Sequence, residues 1–107
     1  MDAADTGTPP VISCHIEADK SRGAINVHGV IVSISPATGR YIFEINKEGR
    51  SGSSSVQQSG NFTLSVGETV GAGQSKVDFS KGTRVRARLS GEGLGQKFSC
   101  DFDEISK

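Results

Sequence analysis

Apolar and polar residues alternate along most of this chain, and no window long enough for a helix carries a helical period. The alternation predicts a series of strands, each with one face on a core. The first runs from Val11 to Ala18, with Ile12, Cys14 and Ile16 on one face. The second spans Ala24 to Ser33, with Ile25, Val27, Gly29 and Ile31 together; Val30 and Val32 opposite them predict cover on both sides at its end. The third, Arg40 to Lys47, places Tyr41, Phe43 and Ile45 on the core side, and Ile42 predicts cover on both sides there too. A polar ribbon, Ser53 to Ser59, then leads into a short strand from Asn61 to Val66. Gln74 to Phe79 alternates again through Val77 and Phe79. Thr83 to Ser90 sets Val85, Ala87 and Leu89 against Arg84, Arg86 and Arg88. The last strand, Gln96 to Phe102, points Phe98, Cys100 and Phe102 inward.

Turn residues separate these runs: Asp19 to Gly23, Ser35 to Gly39, Glu48 to Gly52, Ser80 to Gly82, and the glycine-rich stretches Gly67 to Gly73 and Gly91 to Gly95, the latter with an exposed Leu94. Seven or eight antiparallel strands with such turns predict an all-β fold, and about 100 residues suit an immunoglobulin-like β-sandwich. A small barrel is the other arrangement that fits. The Cys-Trp-Cys core of antibody domains is absent, since the chain has no Trp.

Composition narrows this picture. The 107 residues fit one domain, predicted over residues 11–105, after a small, acidic, proline-closed stretch (1–10) read as a disordered leader. Glycine, at 14 residues, is about twice its usual share. Twelve basic and twelve acidic residues leave the net charge at zero, so global charge selects no partner. No apolar run approaches the length of a membrane span, so membrane insertion is not expected. The first residues lack the basic and apolar regions of a signal peptide. That fits either a cytoplasmic start or a Met placed before a mature exported sequence.

Candidate chemistry is sparse. Cys14 and Cys100 both take inward positions on the first and last strands. If those strands lie side by side, a disulfide closes a loop of about 85 residues, worth roughly 4 to 5 kcal/mol in chain entropy; two separate buried thiols fit the alternation as well. Arg84, Arg86 and Arg88 recur every second residue, about 7 Å apart. With Lys76 and Lys97 flanking them they predict a positive sheet that attracts an acidic partner. The competing reading is a solubilising face that blocks edge-to-edge association. Nucleic acid fits poorly, because this face has no aromatics on which bases stack. His15 and His28 lie on strands, no HExxH, GxSxG or CxxC occurs, and neither a catalytic centre, a metal site nor a cofactor is predicted. The Ser/Gly/Gln ribbon also resembles an edge able to pair with another chain.

Tyr41 to Phe62 reads Y-x-F-x-I-x-K-x-G-x-S-G-x-S-S-x-Q-Q-x-G-x-F, and with the late Cys100 it resembles the curli-assembly chaperone family, its CsgH branch more than CsgC. The resemblance covers most of residues 11 to 105. It implies an immunoglobulin-like sandwich in the bacterial periplasm that keeps the curli major subunit, or a similar amyloid-forming protein, from assembling early. Tyr41, Phe43, Ile45, Gly52, Gln58, Gly60 and Phe62 match a structural signature. The Cys-x-Cys pair of the CsgC branch is missing, which disfavours a thiol oxidoreductase of the curli system. The expected action is transient electrostatic contact by a monomer, through Arg84, Arg86, Arg88, Lys76 and Lys97; that assignment follows from alternation and not from the family. A structural or adhesive module pairing through an edge strand is the alternative.

Overall fold

The computed structural model describes residues 11–50 and 52–107; the expected leader lies outside them. Seven strands follow one another: β1 (Ile12–Ser21), β2 (Ala24–Ser33), β3 (Ala37–Gly49), β4 (Gly52–Leu64), β5 (Thr69–Asp78), β6 (Arg84–Gly93) and β7 (Gln96–Ile105). They form two antiparallel sheets, one ordered β1-β2-β5 and the other β4-β3-β6-β7. This is an immunoglobulin-like sandwich in which the fourth strand sits beside the third. Its core is built mainly from inward positions that alternation predicts, with Ala72 added from the stretch expected to be a loop. Ile12, Ile25, Val27, Ile31 and Ala72 of the smaller sheet meet Phe43, Ile45, Phe62, Leu64, Val85, Ala87, Leu89 and Phe98 of the larger.

Several strands are longer than alternation predicts, because glycine does two jobs here. β1 runs through Ser21, leaving Arg22 and Gly23 as the turn. The polar ribbon and the short strand after it are one strand, β4, paired with β3 along its whole length. It ends at Leu64, so Val66 lies exposed in a turn instead of in the core. Five of the seven residues of the expected Gly67 to Gly73 loop belong to β5, and Gly91 and Gly93 belong to β6. These glycines are berths for large side chains. A Cβ on Gly91 would lie 2.6 Å from the Phe98 ring, and one on Gly39 would lie 2.6 Å from the Phe62 ring. Phe62 and Phe98 occupy that space edge to face, 6.0 Å apart, a favoured aromatic geometry. Ile42 is exposed on the outer face of β3 and not covered on both sides.

Only Leu94 and Gly95 remain as the turn between β6 and β7, which pair up to Gly93 and Gln96. Both have positive φ, 52° and 70°, as a two-residue hairpin turn with both central residues left-handed requires. Asn-Gly is the preferred pair there, whereas a leucine Cβ is strained in that region. Leu94→Asn is therefore expected to raise stability by about 1 kcal/mol. A urea midpoint that stays put or falls would contradict this.

Both open sides of the sandwich are clasped. Between β1 and β7, Cys14 and Cys100 form a disulfide with their Cα atoms 6.0 Å apart. Further along the same seam Lys20 pairs with Glu104 and lies over the Phe79 ring. Between β4 and β5 the clasp is an amide. Gln58 Nε2 donates to the Gln74 carbonyl at 2.8 Å, and the Gln74 N–H donates to Gln58 Oε1 at 2.9 Å. One side chain thus presents to β5 the donor and acceptor that a neighbouring strand would present.

Candidate functional site

β6 lies between β3 and β7 in the larger sheet, so the three arginines rise from the middle of a surface and not from an edge. Their neighbours are fixed by register. Glu48, Asn46 and Glu44 of β3 stand opposite Arg84, Arg86 and Arg88, while Asp103 and Asp101 of β7 face Arg86 and Arg88 from the other side. The ladder is therefore neutralised by its own sheet. Arg84 holds Asp103 in a two-pronged bond, Nε to Oδ1 at 2.9 Å and a terminal nitrogen to Oδ2 at 2.6 Å. Arg86 reaches Glu48 at 2.9 Å, and Arg88 reaches Asp101 at 3.3 Å.

The Arg84 hydrogen bond holds the Asp103 carboxyl below the usual carboxylate range, and the same bond raises Arg84. A depressed carboxyl contributes stability above about pH 4 and loses it as the pH falls through the depressed value. Both side chains are exposed, so the contribution is small.

The outer face of this sheet carries five basic residues (Arg40, Arg84, Arg86, Arg88, Lys97) and five acidic ones (Glu44, Glu48, Glu92, Asp101, Asp103). The uniformly positive sheet expected from the sequence is thus replaced by a polarised one. Glu44, Glu48, Asp101 and Asp103 gather around Arg84 and Arg86 towards one end. Towards the other, Arg40 and Lys97 both lie opposite Glu92, and Arg88, which reaches back to Asp101, stands beside them. No ion pair among the described residues engages Arg40, Lys97 or Glu92.

This second end is a shallow depression, because its floor is built from Ser59, Ser90 and Ser99 and exposed Ile42. Short side chains beside long cations make a cationic shelf with an apolar centre. Lys97 belongs to it, as does Arg88 from the ladder. Lys76 does not. It sits on β5 opposite Asn26, in the other sheet. The nearness of Lys76 to the ladder in sequence misled because consecutive strands β5 and β6 belong to different sheets. Arg40 and Ile42 were missed as candidates. Their outward positions follow from alternation, but their neighbours follow only from the β3–β6 register.

On the opposite sheet, Glu17 accepts bonds from both histidines, His15 Nε2 at 2.7 Å and His28 Nε2 at 2.9 Å. These bonds, His15 first, hold the Glu17 carboxyl below its ordinary range. The signature residues Tyr41, Phe43, Ile45, Gln58, Gly60 and Phe62 all serve packing or the β4–β5 clasp. Gly60 leaves room for the Tyr41 ring. Gly52 has a φ of 116° at the start of β4, where a side chain would be strained.

Fold and surface together define a small disulfide-closed immunoglobulin-like sandwich whose distinctive feature is one charge-polarised sheet. Residues 13–103 match the model of the CsgH protein family. The chain belongs to the CsgH family, a curli-associated family. The solution structure of R. palustris CsgH is similar to it at 30% identity, with a TM-score of 0.74, covering 86% of this chain and 91% of that one. The E. coli curli protein CsgC is similar in fold, with a TM-score of 0.75 at 14% identity, covering 85% of this chain and 97% of that one. No curated protein sequence matches the chain.

Proposed function

We propose that this protein is a periplasmic, non-enzymatic chaperone that delays amyloid assembly of the curli major subunit. Membership of the CsgH family carries the reading. The disulfide supports an oxidising compartment. The contact surface is the cationic shelf of Arg40, Arg88 and Lys97 around Ile42. There Arg40 and Lys97 have no ion-pair partner among the described residues, Arg88 reaches Asp101 only at 3.3 Å, and their fields add within a Debye length of about 8 Å. Arg84 and Arg86 are held by their own carboxylates and contribute less.

A thioflavin-T time course with purified curli major subunit tests this. The wild-type protein is expected to lengthen the lag phase below equimolar ratio, and an unchanged lag at equimolar protein would end the proposal. Arg40→Glu, Arg88→Glu and Lys97→Glu combined are expected to remove more than half of the delay, whereas Arg84→Ala with Arg86→Ala leaves most of it. The reverse ranking would return the site to the centre of the ladder.

A further inference from the structure

The four strands at the sheet margins are protected very unequally. β1 and β7 are joined across their seam by the disulfide and by Lys20–Glu104. β7 also carries Lys97, Asp101, Asp103 and Glu104. β5 carries Lys76 and Asp78, and its Gln74 is occupied by the Gln58 amide. β4 is tied to β5 by its Gln58 amide, but from Gly52 to Gln57 it has none of these guards. Its 13 residues, GSSSVQQSGNFTL, include no charge and no proline, and its ladder with β3 runs without a bulge, unlike that between β2 and β5.

From Gly52 to Gln57 every residue is exposed. Among the described residues only β3 pairs with this strand. In an antiparallel ladder every second residue turns its N–H and C=O away from its partner. On β4 those groups face an open edge, and no backbone bond to them occurs among the described residues outside the β3 ladder. Natural edges are commonly guarded by charge, proline or bulges, and an edge without them is a template for another strand.

We propose that the open β4 edge, from Gly52 to Gln57, captures an extended, uncharged polar segment of the amyloid client as an added antiparallel or parallel strand. The idea rests on the chaperone reading and specifies how the client is held. Three observations favour this occupant. The edge has no charge with which to select a charged strand, so main-chain bonding with small polar neighbours is the chemistry offered. The chain already meets β5 with a backbone-like amide, Gln58 on Gln74, so pairing through amides is compatible with this corner of the fold. Finally, the edge is continuous with the cationic shelf: Gln57, Ser59 and Asn61 of β4 border the same depression as Arg40 and Arg88. A client drawn in by the shelf therefore arrives beside an open ladder. Once paired there, its strand is unavailable to a growing fibril.

The test separates the edge from the charge. Amide hydrogen exchange of the full chain is followed with an acetylated, amidated peptide of about a dozen Ser, Gly, Gln and Asn residues. Slowed exchange confined to alternate β4 amides is expected, with β1 and β7 unchanged. Val56→Lys puts an inward-pointing charge at the edge, where Val56 is already 41% exposed. This variant makes the region more positive, so electrostatic attraction alone predicts equal or stronger client binding. Edge pairing predicts at least a tenfold loss of peptide binding and a shortened amyloid lag. Gln57→Lys is the second variant, in case Val56→Lys unfolds the hairpin.

Peptide protection elsewhere than β4, or both variants inhibiting amyloid like wild type, would overturn the edge proposal. Concentration-dependent β4 protection without peptide would assign the edge to a second copy and overturn it as well. If the shelf variant loses inhibition while Val56→Lys keeps it, the chaperone reading stands and the edge proposal falls. If wild type never inhibits yet the peptide protects β4, the edge binds strands and the chaperone reading falls.

Discussion

Replacing Cys14 and Cys100 together by Ala is expected to lower the unfolding free energy by about 2 to 5 kcal/mol. The bond joins residues 86 apart in sequence, and closing so long a loop removes much of the unfolded chain's freedom, roughly 4 to 5 kcal/mol in the chain-entropy account. A domain of this size has a total of only about 5 to 15 kcal/mol. The position matters as much as the length. β1 and β7 belong to different sheets, and no backbone ladder crosses between them. With the disulfide gone, this seam is held by packing and by Lys20 between Glu104 and the Phe79 ring. Both of those charged side chains are partly or mostly exposed, so the pair offsets little. Urea unfolding of the double variant, and of wild type with reductant, checks this. Both should unfold at clearly lower urea, and a change under about 1 kcal/mol would mean that the clasp is incidental to stability.

Gly73→Ala is expected to cost about 3 kcal/mol, while Gly71→Ala, two residues away on the same strand, is expected to be neutral or slightly stabilising. Gly73 has a φ of 92°, where a side chain is strained. Its Cβ would also lie 2.5 Å from Cβ and Cγ of Phe43. Phe43 is 1% exposed and cannot swing away. Backbone strain and overpacking therefore act together, each worth about 1 to 3 kcal/mol. A Cβ on Gly71 meets nothing within 4 Å, and its φ is not in the positive range. Paired urea titrations decide the matter. Equal midpoints for the two variants would show that Phe43 and β5 adjust to the methyl group.

The two glycines also mark where sequence reading succeeds and fails. Gly23 and Gly95 do punctuate turns, as a glycine between alternating runs suggests. Gly39, Gly73, Gly91 and Gly93 lie inside strands, because a large aromatic from elsewhere in the chain needs the space. Nothing near Gly91 announces Phe98 above it, and nothing near Gly73 announces Phe43. The same holds for charge. Arg84, Arg86 and Arg88 look like a bare basic stripe when only their own strand is read. Asp101 and Asp103 are 13 to 19 residues away and Glu48 is 38 away from their partners, and they become neighbours only when β3 and β7 take their places beside β6.

What the sequence determined by itself was everything set by local geometry. A two-residue period makes strands and decides which side chains turn inward, so most core residues, the outward arginines and the inward cysteines could be read directly, while Ala37 and Ala72 joined the core from stretches read as turn and loop. Sheet membership and register were decided only by the tertiary structure, because they depend on contacts between residues far apart in the chain. Those contacts paired Cys14 with Cys100, brought the Gln58 amide to Gln74, sent Lys76 to the opposite sheet, set a carboxylate against each arginine of the ladder, and left one uncharged edge open beside the shelf of Arg40, Arg88 and Lys97.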